Sequence, residues 1–70
     1  MGVVEVEERG RILHVRLNRP EKRNTLTPEI NRLLREAFER FSGARELWVA
    51  VISGRGQDFC AGVDLTATPP

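Results

Sequence analysis

Cysteine and histidine each occur only once in these 70 residues. A disulfide framework and a zinc site are therefore excluded, because the chain has neither a cysteine pair nor a Cys/His cluster of ligand spacing. Charge of one sign is missing as well: eleven basic residues face ten acidic ones, for a formal net charge of +1. No long-range field is left to recruit nucleic acid or an acidic membrane surface, so neither is expected as a partner. No apolar run approaches membrane-spanning length. The start, "MGVVEVEERG", lacks the basic and apolar regions of an export signal and has Val6 where a myristoylation signal needs Ser or Thr. A reducing, cytoplasmic setting is the expectation.

Length sets the next bound. A chain this short buries only about 60% of the surface that its unfolded form exposes. With no disulfide or metal to supplement the core, partner subunits are the remaining source of stability. A homo-oligomer or a complementing chain is expected.

Val4 and Val6 alternate with Glu5 and Glu7, and Leu13, Val15 and Leu17 alternate with His14 and Arg16. This period of two around Arg9-Gly10 predicts a half-buried β-hairpin. Pro20 and its polar neighbours in "NRPEKRNTL" (18–26) then take the chain out of the sheet as a loop. Thr27-Pro28 is a helix start, since the hydroxyl accepts an orphan N–H and a proline at the first helical position has no N–H to lose. Ile30, Leu33, Leu34, Ala37, Phe38 and Phe41 follow at helical spacing, and Ser42-Gly43 supplies a stop. Leu47 to Ile52 is apolar on both alternating faces, as in a buried strand covered above and below. Nothing else in the chain forms a layer large enough to cover it. Trp48, at its start, reads as a core or interface anchor.

"GRGQDFCAGVDL" (54–65) follows that strand. It is not a nucleotide loop: Gly-Lys-Ser/Thr is missing, and Phe59 stands where a dinucleotide-binding turn has its third glycine. Its glycines serve either simply to turn the chain or to let a backbone N–H approach a ligand. Phe59 is a candidate core anchor, and Cys60 and Ala61 are small enough for close packing. If Asp64 caps a helix starting at Leu65, the Val63 N–H lies near a helix N-terminus, where anionic oxygen is favoured. An oxyanion hole needs that geometry.

"LNRPEKRNTLTPEINRLLREAF" together with "VAVISGRGQDFCAGVDL" resembles the N-terminal part of the enoyl-CoA hydratase/isomerase (crotonase) superfamily. The likeness covers roughly residues 3–66, with two motifs in matching order. It implies an α/β fold, the first part of a crotonase-type β-β-α spiral made of hairpin, amphipathic helix, buried strand and glycine-rich loop. Residues 1–70 are then expected to be a truncated N-terminal part of such a domain. The resemblance also implies an acyl-CoA thioester as partner, with coenzyme A entering as part of the substrate and no separate cofactor. Val63 takes the position whose backbone N–H gives one of two donors to the thioester oxygen. Ala61, with Gly62 and Asp64 beside it, takes the adenine and pantetheine side of the site. Lys22 and Arg23 take the positions that approach the CoA phosphates; read without the family they are surface charges.

The second donor and the catalytic glutamates of that family lie beyond this loop. The chain alone is therefore expected to be nearly inert. The alternative is a non-catalytic structural or oligomerising module that keeps the same N-terminal fold. Other candidates read more plainly. His14 sits with Arg16 on the polar face of a strand, and Cys60 has no histidine placed to activate it, so surface and packing roles are expected. Asp64 reads as an N-cap before it reads as a base. Glu29, Glu36 and Glu39 share their helix with Arg32, Arg35 and Arg40 as a solvated, salt-bridged face. No metal ligand set is expected.

Overall fold

The computed structural model describes residues 2–63. Strands β1 (Val4–Arg9) and β2 (Ile12–Leu17) form the expected hairpin about Gly10-Arg11, with Val4 opposite Leu17 and Val6 opposite Val15. Helix α1 (Pro28–Gly43) carries the chain to β3 (Val49–Gly54), which lies parallel to β2. The sheet order is β1-β2-β3. Parallel neighbours need a crossover, and α1 supplies it across one face of the sheet.

Alternation decides which residues meet α1. Leu13, Val15 and Leu17 are buried, and Leu13 and Val15 form a core with Ala37, Ala44 and Leu47, against which Val4, Leu34 and Phe41 pack. Glu5, Glu7, His14 and Arg16 take the opposite face, as period two requires. Ile30 is fully buried near the start of α1.

The helix start is built as its residues dictate. Thr27 accepts the Ile30 N–H at 3.1 Å through its hydroxyl, and Pro28 opens the helix. Thr27→Ala is expected to cost about 1 kcal/mol in chemical denaturation, the usual worth of such a cap. A change below about 0.3 kcal/mol would remove the cap from the forces holding α1.

The charged face of α1 is divided between two uses. Arg32 pairs with Glu36 at 2.9 Å within the helix, whereas Arg40 reaches Glu8 of β1 with Nε at 2.9 Å and Nη2 at 2.7 Å. The second pair ties helix to sheet.

Five apolar residues depart from expectation. β3 begins at Val49 and ends at Gly54, two residues later at each end than the expected Leu47 to Ile52, and its faces are open: Val49 is 50% exposed, Val51 40% and Ile52 42%. The cause is geometric, since α1 packs mainly on β1 and β2 and β3 is the sheet's edge. Trp48 is 68% exposed and is no core anchor; its ring lies under the Arg11 guanidinium, 4.3 Å from the centroid. Phe38 belongs to the rim of the apolar stripe of α1 and not to its buried centre.

Candidate active site

Parallel pairing fixes where the two motif loops meet. Leu17 at the end of β2 is registered against Gly54 at the end of β3, so the segments after both strands leave the same edge of the sheet. Pockets in parallel α/β sheets form at such carboxyl ends. Here the two loops are joined along most of their length.

The first loop holds a short 3₁₀ turn (Pro20–Lys22), followed by Arg23 at φ 56° and Asn24 at φ 57°. That left-handed pair reverses the chain and buries the Asn24 side chain completely. Asn24 Oδ1 accepts the Arg19 N–H at 2.8 Å, while Nδ2 donates to the carbonyls of Arg55 at 2.8 Å and Asp58 at 2.7 Å. Further along, Ala61 N–H donates to Arg23 O at 3.1 Å and Leu26 N–H to Gly62 O at 2.8 Å. The Arg23 guanidinium adds an ion pair with Asp58, Nε to Oδ2 at 3.2 Å, and this hydrogen bond raises its already high pKa.

Two glycines make the second loop possible for different reasons. A Cβ on Gly54 would stand 2.6 Å from Phe59 O and 2.8 Å from Asn24 Nδ2, so any side chain there collides with the returning loop. Gly62 has open space around it but adopts φ +115°, which side-chain-bearing residues rarely adopt. Gly54 therefore lets the returning loop lie against the end of β3, and Gly62 supplies the positive-φ step directly before Val63.

Val63 follows directly. It forms an isolated parallel bridge with Leu26, made on this side by the Leu26 N–H to Gly62 O bond. In parallel pairing a residue bonded through its neighbours points its own N–H away from the partner segment. Among the described residues the Val63 N–H has no hydrogen-bond partner, and the residue is 56% exposed.

A third contact reaches back to the hairpin. Arg55 donates its N–H to Leu17 O at 2.9 Å and its Nε to Glu5 at 2.7 Å, with Arg16 Nη1 3.6 Å from the same carboxylate oxygen. The Arg55 hydrogen bond, aided by the charges of Arg55 and Arg16, holds the Glu5 carboxyl below the usual carboxylate range against a smaller desolvation effect. A lowered folded-state pKa stabilises the fold above the unfolded value, and this contribution is lost as pH falls through the folded one. The urea midpoint of the native chain should therefore fall toward that of Glu5→Gln as pH drops from about 6 to about 3. A gap independent of pH would exclude the pairing in solution.

The sequence-derived positions divide accordingly. Val63, Gly62, Ala61 and Arg23 come together at the joined loops, and Lys22 is exposed in the 3₁₀ turn beside them. Asp64 lies outside the described residues. Phe59 is 56% exposed and anchors no core. Cys60 is half-buried, its Sγ 3.9 Å from Gly62 O. Asn24 and Asp58 were not singled out from sequence. Asn24 carried one usable signal, an αL-tolerant residue type ending the charged run "RPEKRN".

The fold and its joined loops define an α/β segment with a site at the carboxyl ends of two parallel strands. The sequence model described as enoyl-CoA hydratase/isomerase matches residues 7–69. An enoyl-CoA hydratase of Mycobacterium tuberculosis is 40% identical over 62 residues, covering 89% of this chain and 23% of the relative. A mitochondrial Δ(3,5)-Δ(2,4)-dienoyl-CoA isomerase of Mus musculus is 44% identical over 54 residues, covering 77% of this chain and 16% of the relative. A crystal structure of an enoyl-CoA hydratase from Mycobacterium tuberculosis superposes with a TM-score of 0.89 at 42% identity, covering 93% of this chain and 26% of that one. The chain belongs to the enoyl-CoA hydratase/isomerase family, within the crotonase superfamily. It spans about a quarter or less of the length of these relatives.

Proposed function

We propose that this chain forms the acyl-CoA-binding N-terminal segment of an enoyl-CoA hydratase/isomerase-type enzyme and supplies one backbone N–H, that of Val63, to the thioester oxygen. The carrying observation is the Val63 N–H, unpaired among the described residues, directly after a segment tied down through Asn24, Ala61 and Gly62. A thioester enolate places negative charge on its oxygen, and a fixed donor aimed there lowers the barrier only if it need not reorganise. Lys22 and Arg23 stand on the same edge to meet CoA phosphates, with Ala61 and Gly62 on the adenine and pantetheine side and Asp64 following the donor. Coenzyme A enters as part of the substrate.

One donor without a positioned acid or base gives little rate. Asp58 is held by Arg23 and is no ready base. Titration of the 70-residue chain with crotonyl-CoA and with free CoA, alongside a hydration assay, tests this reading. Crotonyl-CoA should bind more tightly than free CoA, with no turnover. Equal binding of both, or of neither, would remove the thioester role.

A second reading has its own observation. The open faces of β3, with Trp48, Val49, Val51 and Ile52 at 40–68% exposure, favour a structural or oligomerising module. Sedimentation separates the two: concentration-dependent assembly without acyl-CoA binding would support the module.

A further inference from the structure

We propose that Asn24 is the positioning residue of the donor loop, setting where the Val63 N–H points without itself touching a ligand; the inference rests on the thioester reading of Val63 for its functional meaning. Asn24 is the buried polar side chain of the described residues, and it leaves no buried side-chain polar atom unsatisfied. Its carboxamide uses one acceptor lone pair on Arg19 N–H and both amide protons on Arg55 O and Asp58 O. Only a primary amide presents that set at this reach. Aspartate would set a carboxylate against two carbonyl oxygens, and leucine would leave all three groups unpaired.

The neighbours of Asn24 complete the hold. Its side chain fixes the near half of the loop at residues 55 and 58, while the Arg23 carbonyl and the Leu26 N–H fix the far half at Ala61 and Gly62. Val63 comes next in the chain. The direction of its N–H is therefore referred to residues 23–26 and, through Asn24, to Arg19, two residues past the end of β2. Gly54 keeps space for this arrangement, since a Cβ there would meet Nδ2 at 2.8 Å.

Two variants separate the latch from the backbone turn. Asn24→Gly keeps the left-handed conformation and deletes all three side-chain bonds, whereas Asn24→Asp keeps the turn and the Arg19 acceptor but loses both donations. Ala37→Gly weakens α1 away from the loops and serves as the control for general destabilisation. In the 70-residue chain, amide exchange at Leu26 and Ala61 should accelerate about tenfold or more relative to Val15 of β2 in both Asn24 variants. Ala37→Gly should change the three amides together.

Selective loosening in either Asn24 variant supports the latch. It is overturned if, at matched melting temperature, the Asn24 variants loosen Leu26 and Ala61 no more than Ala37→Gly does. Adding crotonyl-CoA to the same samples keeps the two readings apart. A Val63 amide shift seen with crotonyl-CoA, absent with free CoA and lost in Asn24→Gly, supports positioning. A selectively loosened loop whose Val63 amide ignores crotonyl-CoA even in the native chain retains the latch and removes the thioester role.

Discussion

Val63→Pro is expected to lower turnover about 10²–10³-fold in any form of the protein that turns over an acyl-CoA thioester. Proline removes the one atom that this position is proposed to contribute, the backbone N–H. Val63→Ala keeps that atom and should stay within about threefold of the native rate, because the residue is more than half exposed and the proposed donor is its backbone and not its side chain. The pair of variants matters more than either alone. Proline also restricts the backbone, so retention of the Leu26 to Gly62 bond by amide exchange must accompany the kinetic loss. Equal rates for proline and alanine would show that the thioester oxygen is met by some other group.

Gly54→Ala is expected to have the largest effect on the fold. The added Cβ meets Phe59 O at 2.6 Å and Asn24 Nδ2 at 2.8 Å, and a backbone carbonyl cannot swing aside as a flexible side chain does. Overpacking with loss of the Asn24 bonds gives a cost on the order of 2–4 kcal/mol. That is a large share of the stability of so small a domain, for which about 5 kcal/mol in all is ordinary. Gly43→Ala is the matched contrast, because nothing lies within 4 Å of its Cβ position and its φ is not positive. It should be neutral or stabilise by up to about 1 kcal/mol. Urea denaturation of the two variants checks the prediction, and a Gly54→Ala chain as stable as Gly43→Ala would contradict the close approach of the two loops.

What could be read from the sequence was local. Alternation placed Leu13, Val15 and Leu17 on the inner face, and Thr27-Pro28 marked the helix start to the residue. Both depend on neighbours within a few positions. The donor position needed more, because a glycine before an exposed valine has many uses, and the family resemblance gave it one. Asn24 escaped notice for a physical reason: in a polar loop an asparagine is ordinarily solvated, and its burial comes from carbonyls 31 and 34 positions away. The Glu5 to Arg55 contact, 50 positions apart, has no local signature either.

The apolar residues misled in the opposite direction. The composition of Leu47 to Ile52 suits a covered strand and that of Trp48 a core or interface anchor, yet α1 packs mainly on β1 and β2 and leaves Trp48, Val49, Val51 and Ile52 exposed. Composition reports what a face is suited to meet, and exposure reports what this chain brings to it. Sedimentation tests the expectation of a partner.

The state of the thioester carbonyl itself remains the decisive observable for Val63. Infrared difference spectra of crotonyl-CoA with and without a ¹³C label at the carbonyl isolate that one stretch when the molecule is bound. A fixed N–H donor withdraws electron density from the bond, so the carbonyl stretch should move to lower frequency on binding to the native chain and return toward its solution value with Val63→Pro. A bound carbonyl at its solution frequency in the native chain, or one lowered equally in Val63→Pro, would contradict the assignment of Val63 as the donor.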